Sequence, residues 1–413
     1  MDVAIIGAGS RGVNVYGSIL YSIPGVKISA ICDISQTKLE EASKLFKVPP
    51  KMQFLSEDEF FEAGVLADGL IITSQDRLHY RHCTRAIDAG YKKILLEKPV
   101  SDDINETQEI NDLAKNKGVD ILVCHVLRYS AFYGTIHELI KSKKIGELIA
   151  INHEENIGYW HFAHSYVRGN WRNIKDSHPL LYAKTCHDFD LLFWFANSKV
   201  KNAKSYGSLT YFKPQNAPAG STERCLDGCP HLDSCAYSVK NLYFDNKSPL
   251  SWGLYHATGI NHPSQAERYN ALKKNDNPYG RCVFKCDNDA DDHRSVAIEF
   301  ENGTTATLTV TAYSKDCHRR IHVVGTHGEI LGDDSKNYLI VNIFGEKKSS
   351  LFKRKTNKVK IRALGAGHLG GDLGICRAFV KLIKGQHIDP DYLTTIDVTL
   401  EGHKIIARAM ESD

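Results

Sequence analysis

The chain begins Met1-Asp2-Val3-Ala4-Ile5-Ile6-Gly7-Ala8-Gly9-Ser10-Arg11-Gly12, and this stretch decides its fold. A short apolar run leads into the spacing G-x-G-x-x-G, and a segment of helical character follows. In that position Gly7 permits a tight turn, Gly9 lets the backbone approach a pyrophosphate, and Gly12 allows close packing of helix and strand. The helix N-terminus also offers N–H groups to an anion. The stretch therefore predicts a strand, a phosphate-binding turn and a helix.

A second apolar run, from Val26 to Cys32, ends in Asp33, which lies 21 residues after Gly12. This is close to the spacing at which a carboxylate accepts hydrogen bonds from an adenosine ribose. The same carboxylate would repel a 2′-phosphate, so the sequence favours NAD over NADP. Alone, Asp33 is compatible with an ordinary turn or cap residue. Together, the strand, the glycines and the spacing predict nucleotide binding.

Size and composition narrow the class of protein. A chain of 413 residues is too long for one ordinary core, so two domains are expected. The 52 basic and 49 acidic side chains leave a formal charge of only +3, which argues against nucleic-acid and membrane-surface binding. No signal-peptide pattern begins the chain and no apolar stretch approaches the roughly 20 residues of a membrane span. We expect a cytoplasmic protein whose partners are small molecules.

Apolar runs alternate with helical segments up to about residue 125, as in β-α-β units around a doubly wound parallel sheet. The predicted strands are Val3–Ile6, Val26–Cys32, Gly69–Thr73, Lys93–Leu96 and Asp120–Cys124. The predicted helices are Gln36–Phe46, Leu78–Ala89 and Asn105–Asn116. Ligands of such sheets bind beyond the carboxyl ends of the strands, where Gly7, Asp33, Thr73 and Lys98 all fall. Residues 1–125 are thus predicted to be an NAD-binding Rossmann domain.

Residues 126–413 are predicted to form an α+β domain with an open, mostly antiparallel sheet. The strand candidates are Gly146–His153, Val200–Phe212, Ser295–Phe300, Thr304–Ala312, Ile321–Gly325 and Tyr338–Phe344. Glu301-Asn302-Gly303-Thr304 predicts a hairpin turn between two of them. An irregular Cys-rich insertion covers about residues 213–292. Two helices, Asp372–Lys384 and Asp397–Met410, are predicted to close the chain.

Several motifs together resemble the Gfo/Idh/MocA oxidoreductases over nearly the whole chain. They are GAGSRG at residues 7–12, the Thr73-Ser74-Gln75 turn with His79, Glu97-Lys98-Pro99, His187-Asp188-Phe189-Asp190 and Gly367-His368. The resemblance implies NAD(P)-dependent oxidation of sugars, polyols or related compounds, and homo-oligomers, which we expect to be dimers or tetramers. It places Lys98 beside the nicotinamide, with Glu97 fixing it and a Lys98–Pro99 bond that can be cis. The cofactor residues expected are Gly7, Gly9, Ser10, Arg11, Gly12, Asp33, Thr73, Gln75, His79, Glu97, Lys98 and Pro99.

Removing a hydride from a carbinol carbon requires the hydroxyl proton to leave, so a base and a cation are both needed. His187 is the best candidate base, because imidazole titrates near working pH, and Lys98 can stabilise negative charge on the oxygen. Asp190, three residues after His187, is placed to orient the ring. The alternatives are a solvated strand terminus for Lys98 and a helix-capping or packed residue for His187.

One position departs from the family pattern. Members commonly carry an acid four residues before this histidine, where the present chain has Ala183 followed by Lys184. Lys184 is compatible with three roles: a catalytic substitute for the acid, a site for an anionic substrate group, or a solvated lysine.

Candidate substrate contacts come from several parts of the chain. Residues 159–172 form its densest aromatic and basic stretch, which suits a sugar ring but is equally compatible with a packed core. The family also places substrate contacts just after the last Rossmann strand and in the late Gly-His loop. The candidates are Arg128, Trp160, His161, Arg168, Trp171, Arg172, Asp190 and His368.

Cysteines cluster at the two ends of the insertion. Cys225, Cys229, Cys235 and Cys282 are the favoured ligands of a closed structural zinc site, with Cys286 or His231 as substitutes. Such a site would have no catalytic role. Free thiols, an iron–sulfur cluster and a disulfide are the alternatives.

Three functions remain open from sequence. The first is an NAD-dependent dehydrogenase acting on a secondary hydroxyl of a sugar, polyol or sugar derivative. The second is a redox-neutral glycoside hydrolase or lyase that works through a transient keto-sugar. The third is a non-catalytic NAD-binding regulator.

Overall fold

The computed structural model describes residues 1–246, 248–260, 262–345, 357–362 and 367–411. Its N-terminal part is built on six parallel strands, in the order β3-β2-β1-β4-β5-β6. They are β1 Asp2–Ile6, β2 Lys27–Cys32, β3 Gln53–Phe54, β4 Gly69–Ile72, β5 Lys93–Leu96 and β6 Asp120–Val123. The five predicted strands are confirmed to within one residue. Strand β3 was not predicted because two residues are too few to show a pattern.

Helices cover both faces of this sheet, as a doubly wound fold requires. They are α1 Ser18–Tyr21, α2 Gln36–Phe46, α3 Glu57–Glu62, α4 His79–Ala89 and α5 Ile104–Lys117. The motif turn leads into a π-helical stretch, Ser10–Gly17, that continues as α1. Helix α5 begins where the sequence predicted a polar start, with the Asn105 N–H donating to Asp103 Oδ1 at 2.8 Å. The predicted Rossmann architecture is confirmed.

The C-terminal part contains an eight-stranded sheet in the order β14-β13-β12-β11-β7-β10-β9-β8. Its strands are β7 Leu148–Gly158, β8 Val200–Ser208, β9 His293–Phe300, β10 Thr305–Ser314, β11 His318–Gly325, β12 Gly328–Asp333, β13 Tyr338–Ile343 and β14 Lys358–Lys360. Among the described strands of this second sheet only the β7–β10 pair is parallel, so the predicted mostly antiparallel sheet is confirmed. The predicted hairpin turn joins β9 to β10, with Gly303 at φ 85°.

Strand β7 runs five residues further than predicted. Its core-facing positions after Ile151 are His153, Glu155 and Ile157, all buried. Because two of these positions are ionisable, the alternation of apolar and polar residues that marks a half-buried strand is hidden. This strand therefore carries charged side chains into the interior of the C-terminal domain.

The remaining helices lie between and after these strands. They are α6 Ala131–Lys141, α7 Tyr159–Phe162, α8 Leu180–Ala183, α9 Cys186–Ala196, α10 Leu254–Thr258, α11 Gln265–Lys273, α12 Gly371–Ile383 and α13 Ile396–Met410. The two predicted closing helices are confirmed as α12 and α13. None of the helices that the structure describes is long and apolar enough to cross a membrane.

Helix α12 packs on the N-terminal sheet although it follows the C-terminal sheet in sequence. Ile375 and Phe379 belong to the same buried cluster as Val3 and Ile5. A Cβ added at Gly69 would lie 2.8 Å from Phe379 Cζ, which shows how closely the helix approaches β4. Helix α12 thus connects the C-terminal part to the N-terminal sheet, close to the glycine turn.

Candidate functional site

The glycine turn has the geometry of a phosphate cradle. Gly7 adopts φ 97°, and a Cβ there would lie 2.5 Å from the backbone of Thr73. A Cβ at Gly12 would lie 2.1 Å from Gly7 O, so helix and turn are in direct contact. At Gly9 no described atom lies within 4 Å of the Cβ position. The tight turn, the close packing and the open space at Gly9 fit the roles predicted for the three glycines.

Asp33 lies at the carboxyl end of β2, facing the turn. The Ala8 N–H donates to its Oδ2 at 2.7 Å, and the Ser35 N–H donates to Oδ1 at 2.8 Å. These contacts hold the carboxylate beside the glycine turn, where a ribose hydroxyl can reach it. The residues present therefore fit the adenosine half of NAD.

Glu97 lies at the centre of a buried network. Its Oε1 accepts from Arg11 Nε at 2.7 Å and from the Tyr16 hydroxyl at 2.9 Å, and its Oε2 accepts from the Lys98 N–H at 2.6 Å. Burial alone would raise the pKa of Glu97, but the charges of Arg11 and Lys98 hold it below its ordinary value. Arg11 also donates to Asp372 at 2.9 Å. The Arg11 side chain is therefore bound by Glu97 and Asp372 rather than free to contact a phosphate at the glycine turn.

Asp372 provides a stability test of this network. Although burial alone would raise its pKa, a hydrogen bond with His368 and the charge of Arg11 lower it to about 2. A lowered carboxyl pKa stabilises the fold above the unfolded value of about 3.8, and this contribution is lost as pH falls toward 2.

We expect Asp372→Asn to lower the free energy of unfolding by about 2 kcal/mol at neutral pH. The difference between wild type and variant should shrink below pH ~4 and vanish near pH ~2. Urea unfolding of both proteins across this range measures it. A difference that does not change with pH would show that Asp372 acts through packing alone.

Lys98 reaches from the N-terminal sheet into the C-terminal domain. The Lys98–Pro99 bond is cis, and Lys98 Nζ donates to Ala183 O at 2.7 Å. His79 braces the loop, with its ring nitrogens 2.6 Å from Pro99 O and 3.1 Å from Ser74 O. The Lys98 ammonium is thus bound to Ala183, which lies four residues before the candidate base His187 in the chain.

His187 lies in the first turn of α9, where it is buried near the cations Lys98 and Arg319. Burial, Lys98, His125, His368 and Arg319, in that order, hold its pKa well below the ordinary value of histidine. Its Nδ1 has no hydrogen-bond partner among the described residues. His187 is therefore a neutral imidazole beside a lysine, which is the pairing that the predicted chemistry needs.

Lys184 takes its partner from the buried face of β7. Lys184 Nζ lies 3.2 Å from Glu155 Oε1, while Arg319 Nε lies 2.7 Å from both Glu155 Oε2 and Asp188 Oδ1. His153 Nε2 is also 2.7 Å from Asp188 Oδ1. Glu155 thus brings a buried carboxylate to Lys184. Because Lys184 is ion-paired and mostly buried, it is not the solvated lysine of the third interpretation.

The ring of His161 lies at the same site. Limited solvation and the charges of Lys184, His164, Lys98 and His368, in decreasing order, hold its pKa well below the ordinary value. Trp160 stacks beside it at 5.8 Å between ring centroids and donates its indole N–H to Lys315 O at 3.1 Å.

His368 lies beside His187, in the loop before α12. Its ring centroid is 6.1 Å from that of His187, and its Nδ1 lies 3.0 Å from Asp372 Oδ2. His368 and its neighbour Leu369 both have positive φ, at 43° and 58°. The surrounding structure therefore holds this loop in an unusual backbone conformation at the site.

Five predicted substrate contacts are engaged elsewhere. Arg128 and Asp190 form a buried bidentate pair at 2.7 and 2.8 Å, so Asp190 orients Arg128 rather than His187. Arg172 pairs with Asp287 at 3.0 Å, and Trp171 donates to Asp76 at 2.9 Å. Arg168 is fully buried and donates to the carbonyls of residues 237 and 281. The structure thus brings His161, Trp160 and His368 to the site, but not Arg168.

The cysteines chosen as zinc ligands line one cavity of ≈ 20 Å³ together with Arg168 and His231: Cys225, Cys229, Cys235 and Cys282. Among the described residues, no group of three or more His, Cys, Asp or Glu is placed to hold a metal ion. The thiols instead contact other groups: Cys225 Sγ lies 3.8 Å from Arg168 Nη2, and Cys286 Sγ donates to Cys282 O at 3.2 Å. The predicted zinc site is not supported.

Sequence reasoning missed five residues of the site: Tyr16, His125, Glu155, Arg319 and Asp372. His125 lies edge-on to His187 at 5.7 Å, and both of its ring nitrogens lack partners among the described residues. One sequence signal could have identified some of these residues, namely an ionisable side chain at a core-facing position of a strand. Glu155 on β7 is an example. The other contacts join segments too distant in sequence to be paired by pattern.

Comparison with known proteins identifies the family to which a chain with this fold and site belongs. Residues 1–125 match the family model described as an oxidoreductase family with an NAD-binding Rossmann fold, and residues 137–413 match the model of that family's C-terminal alpha/beta domain. Bacillus subtilis (strain 168) YteT, named an oxidoreductase, is 23% identical over 355 residues, covering 84% of this chain and 80% of YteT.

Two further relatives carry substrate names. An inositol 2-dehydrogenase of Pseudarthrobacter chlorophenolicus is 24% identical over 222 residues, covering 53% of this chain and 60% of that protein. A solved levoglucosan dehydrogenase, in complex with NADH and levoglucosan, aligns with a TM-score of 0.69 at 15% identity, covering 100% of this chain and 96% of that one. At this identity the structural likeness shows the fold.

Proposed function

The chain belongs to the Gfo/Idh/MocA family of NAD-binding oxidoreductases, and from this membership we propose that it oxidises a secondary hydroxyl of a sugar, polyol or sugar derivative with NAD. The observation that carries the proposal is the meeting of Lys98 and His187 from two different domains. Lys98 Nζ is anchored at Ala183 O, and its charge helps to keep His187 neutral. The inositol and levoglucosan relatives support a cyclic polyhydroxylated substrate.

The residues present fit the proposed cofactor and the proposed chemistry. When bound, NAD supplies the carbon that accepts the hydride. The glycine turn would hold the pyrophosphate of NAD, and Asp33 would hold its adenosine ribose. Thr73, Glu97 and the loop at Pro99 would line the rest of the cofactor site. His187 takes the hydroxyl proton, and the Lys98 ammonium stabilises the negative charge that develops on the oxygen. His368 and His161 lie beside this pair, and the proposal assigns them to substrate contact.

A screen of sugars, polyols and glycosides with added NAD tests the proposal. Reduced cofactor is followed by absorbance while products are identified by mass spectrometry. We expect a keto product and NADH in equal amounts from at least one free sugar or polyol. Cleavage of a glycoside without accumulation of NADH would instead establish the redox-neutral lyase. Binding of NAD with no product from any compound would favour the regulator.

Cofactor choice gives a second test. Because the Asp33 carboxylate repels a 2′-phosphate, we expect Asp33→Ser to raise the dissociation constant of NADH about tenfold while that of NADPH falls. Fluorescence titration with both reduced cofactors measures the ratio. Asp68→Ser, a change in an exposed aspartate before β4, is the control and should leave the ratio unchanged. Equal effects on both cofactors would contradict the assigned role of Asp33.

The oligomeric state remains a prediction, as does the compartment. Light scattering of the purified protein decides whether it is the dimer or tetramer that the family resemblance implies.

A further inference from the structure

Two buried histidines beside His187 have no role in the proposed chemistry. His125 lies two residues after β6, and His403 lies in α13; each is only 1% exposed. The ring of His125 is edge-on to both neighbours, with centroid distances of 5.7 Å to His187 and 6.3 Å to His403. The three rings, which we call the histidine row, therefore lead from the reaction site into the interior of the protein.

The elements that carry the histidine row pack closely on one another. The Val123 N–H donates to Thr394 O at 2.7 Å, and the Thr394 hydroxyl donates to Val123 O at the same distance. These bonds fix the chain before α13 against the end of β6, two residues before His125. A Cβ on Gly402 of α13 would lie 3.6 Å from Asp190 Cα of α9. The backbone therefore sets the spacing of the three rings.

Four ring nitrogens of the histidine row are buried and have no hydrogen-bond partner among the described residues. They are His187 Nδ1, His125 Nδ1, His125 Nε2 and His403 Nε2. The other nitrogen of His403, Nδ1, lies 3.1 Å from Thr399 O and carries the proton of the neutral ring, because a carbonyl only accepts. His403 Nε2 is therefore free to accept a proton. Since unpaired buried polar groups are costly, we expect these nitrogens to pair along the row, directly or through a water molecule.

We infer that His125 and His403 relay the proton that His187 takes from the substrate hydroxyl. The inference rests on the proposed function, because it requires an alcohol proton at His187. His187 keeps 7% of its surface exposed while its Nδ1 is buried, so the substrate proton arrives at Nε2. The proton on Nδ1 then passes to one nitrogen of His125, and the proton on the other nitrogen of His125 passes to His403 Nε2.

The relay moves positive charge away from Lys98 while the hydride leaves the substrate. Burial, and after it the charge of Lys98, lowers the pKa of His187, so an imidazolium there is disfavoured. Burial also lowers the pKa of His403, to about 3, so this ring gives up a proton rather than retaining it. Once product has left, water takes the proton from His187 Nε2 and the relay runs back. Each ring then recovers the tautomer with which it began.

The charges around His125 oppose one another. Asp190 and Glu97 raise its pKa while Arg128 and Lys98 lower it, and burial, which is the largest effect, keeps the pKa below its ordinary value. His125 is therefore neutral between transfers, as a relay group must be.

Steady-state kinetics on the substrate found by the screen test the relay. We expect His125→Phe and His403→Phe each to lower kcat about tenfold with little change in KM, because phenylalanine keeps an aromatic ring but cannot carry a proton. The double variant should be no slower than the slower single variant, since one break already interrupts a series. In His125→Ala, added imidazole should raise kcat, whereas pyrrole, which has a similar shape but no basic nitrogen, should not.

His137→Phe is the matched control. His137 of α6 is also buried and has two ring nitrogens without partners among the described residues. Its ring contacts, however, are with Trp194 and Tyr392 rather than with the histidine row. Its replacement should leave kcat at the wild-type value.

The outcomes separate the relay from the proposed function. If the wild-type protein produces NADH while His125→Phe and His403→Phe keep its kcat, the relay is wrong and the dehydrogenase proposal stands. Losses that multiply in the double variant, without rescue by imidazole, would show two packing effects and would also overturn the relay. If the wild-type protein oxidises no compound of the screen, both are wrong. Because His125 and His403 lie on different elements, either single variant decides if the other does not fold.

Discussion

Replacing Lys98 with methionine is expected to lower kcat by about 10²- to 10³-fold. Methionine keeps the length and apolar stem of the side chain but removes the ammonium that stabilises the developing oxyanion. The donor to Ala183 O is lost as well, while Glu97 keeps its contact with the Lys98 N–H through the backbone. NADH binding should therefore be retained. Steady-state kinetics on the substrate found by the screen, with NADH titration in parallel, measure both quantities.

Lys93→Met is the matched control for this experiment. Lys93 begins the same strand, β5, and pairs at the surface with Asp120. An exposed pair of this kind contributes little to stability, so activity should stay near the wild-type value. A wild-type kcat in Lys98→Met would show that Lys98 takes no part in the reaction. The proposal that the N-terminal domain supplies the cation and the C-terminal domain the base would then be wrong.

Replacing His187 with asparagine is expected to lower kcat by about 10²- to 10⁴-fold, because the group that takes the hydroxyl proton is lost. Asparagine keeps a polar side chain of similar reach but has no basic nitrogen. His387→Asn, a change in an exposed histidine after α12, is the control and should leave kcat unaltered. A small loss with His187→Asn would indicate that another histidine of the site is the base.

The pH dependence of the wild-type enzyme supports or excludes the same assignment. Because the pKa of His187 is held well below its ordinary value, its neutral form predominates above pH ~6.5. We therefore expect kcat/KM to rise with pH only in the acid range and to be flat above it. Removing the Lys98 charge removes one source of repulsion, so the pKa of His187 should rise. The acid limb of the residual activity in Lys98→Met should move to higher pH, whereas an unmoved limb would show that another group titrates.

The N-terminal domain could be predicted closely because its signals are local. The strand, glycine turn and carboxylate follow one another within residues 1–33, and each side chain acts near its own place in the chain. The long strands of the second sheet were predicted less well where Glu155 and His153 occupy core-facing positions. Strand β12 was missed because its short apolar core is bounded by glycines, which weaken a strand pattern.

In the candidate site, too, some residues could be predicted from the sequence and others could not. Lys98 and His187 could be chosen from sequence because motif and chemistry both point to them. The partners of Arg128 and Asp190 could not, since each was assigned to substrate and the fold pairs them with each other. The four cysteines line one cavity together with Arg168, but the zinc site predicted from them is not supported.

The sequence by itself determined the dinucleotide domain, the general course of the second sheet and the lysine and histidine proposed for the chemistry. The domain and the sheet follow from periodicity and spacing, which a linear chain displays directly, whereas the roles of the lysine and histidine follow from the family resemblance of their motifs. Only the tertiary structure decided which charges neutralise one another and that Glu155 of β7 reaches Lys184. Such contacts join residues far apart along the chain, and their energies depend on burial and distance, which no local pattern of residues encodes.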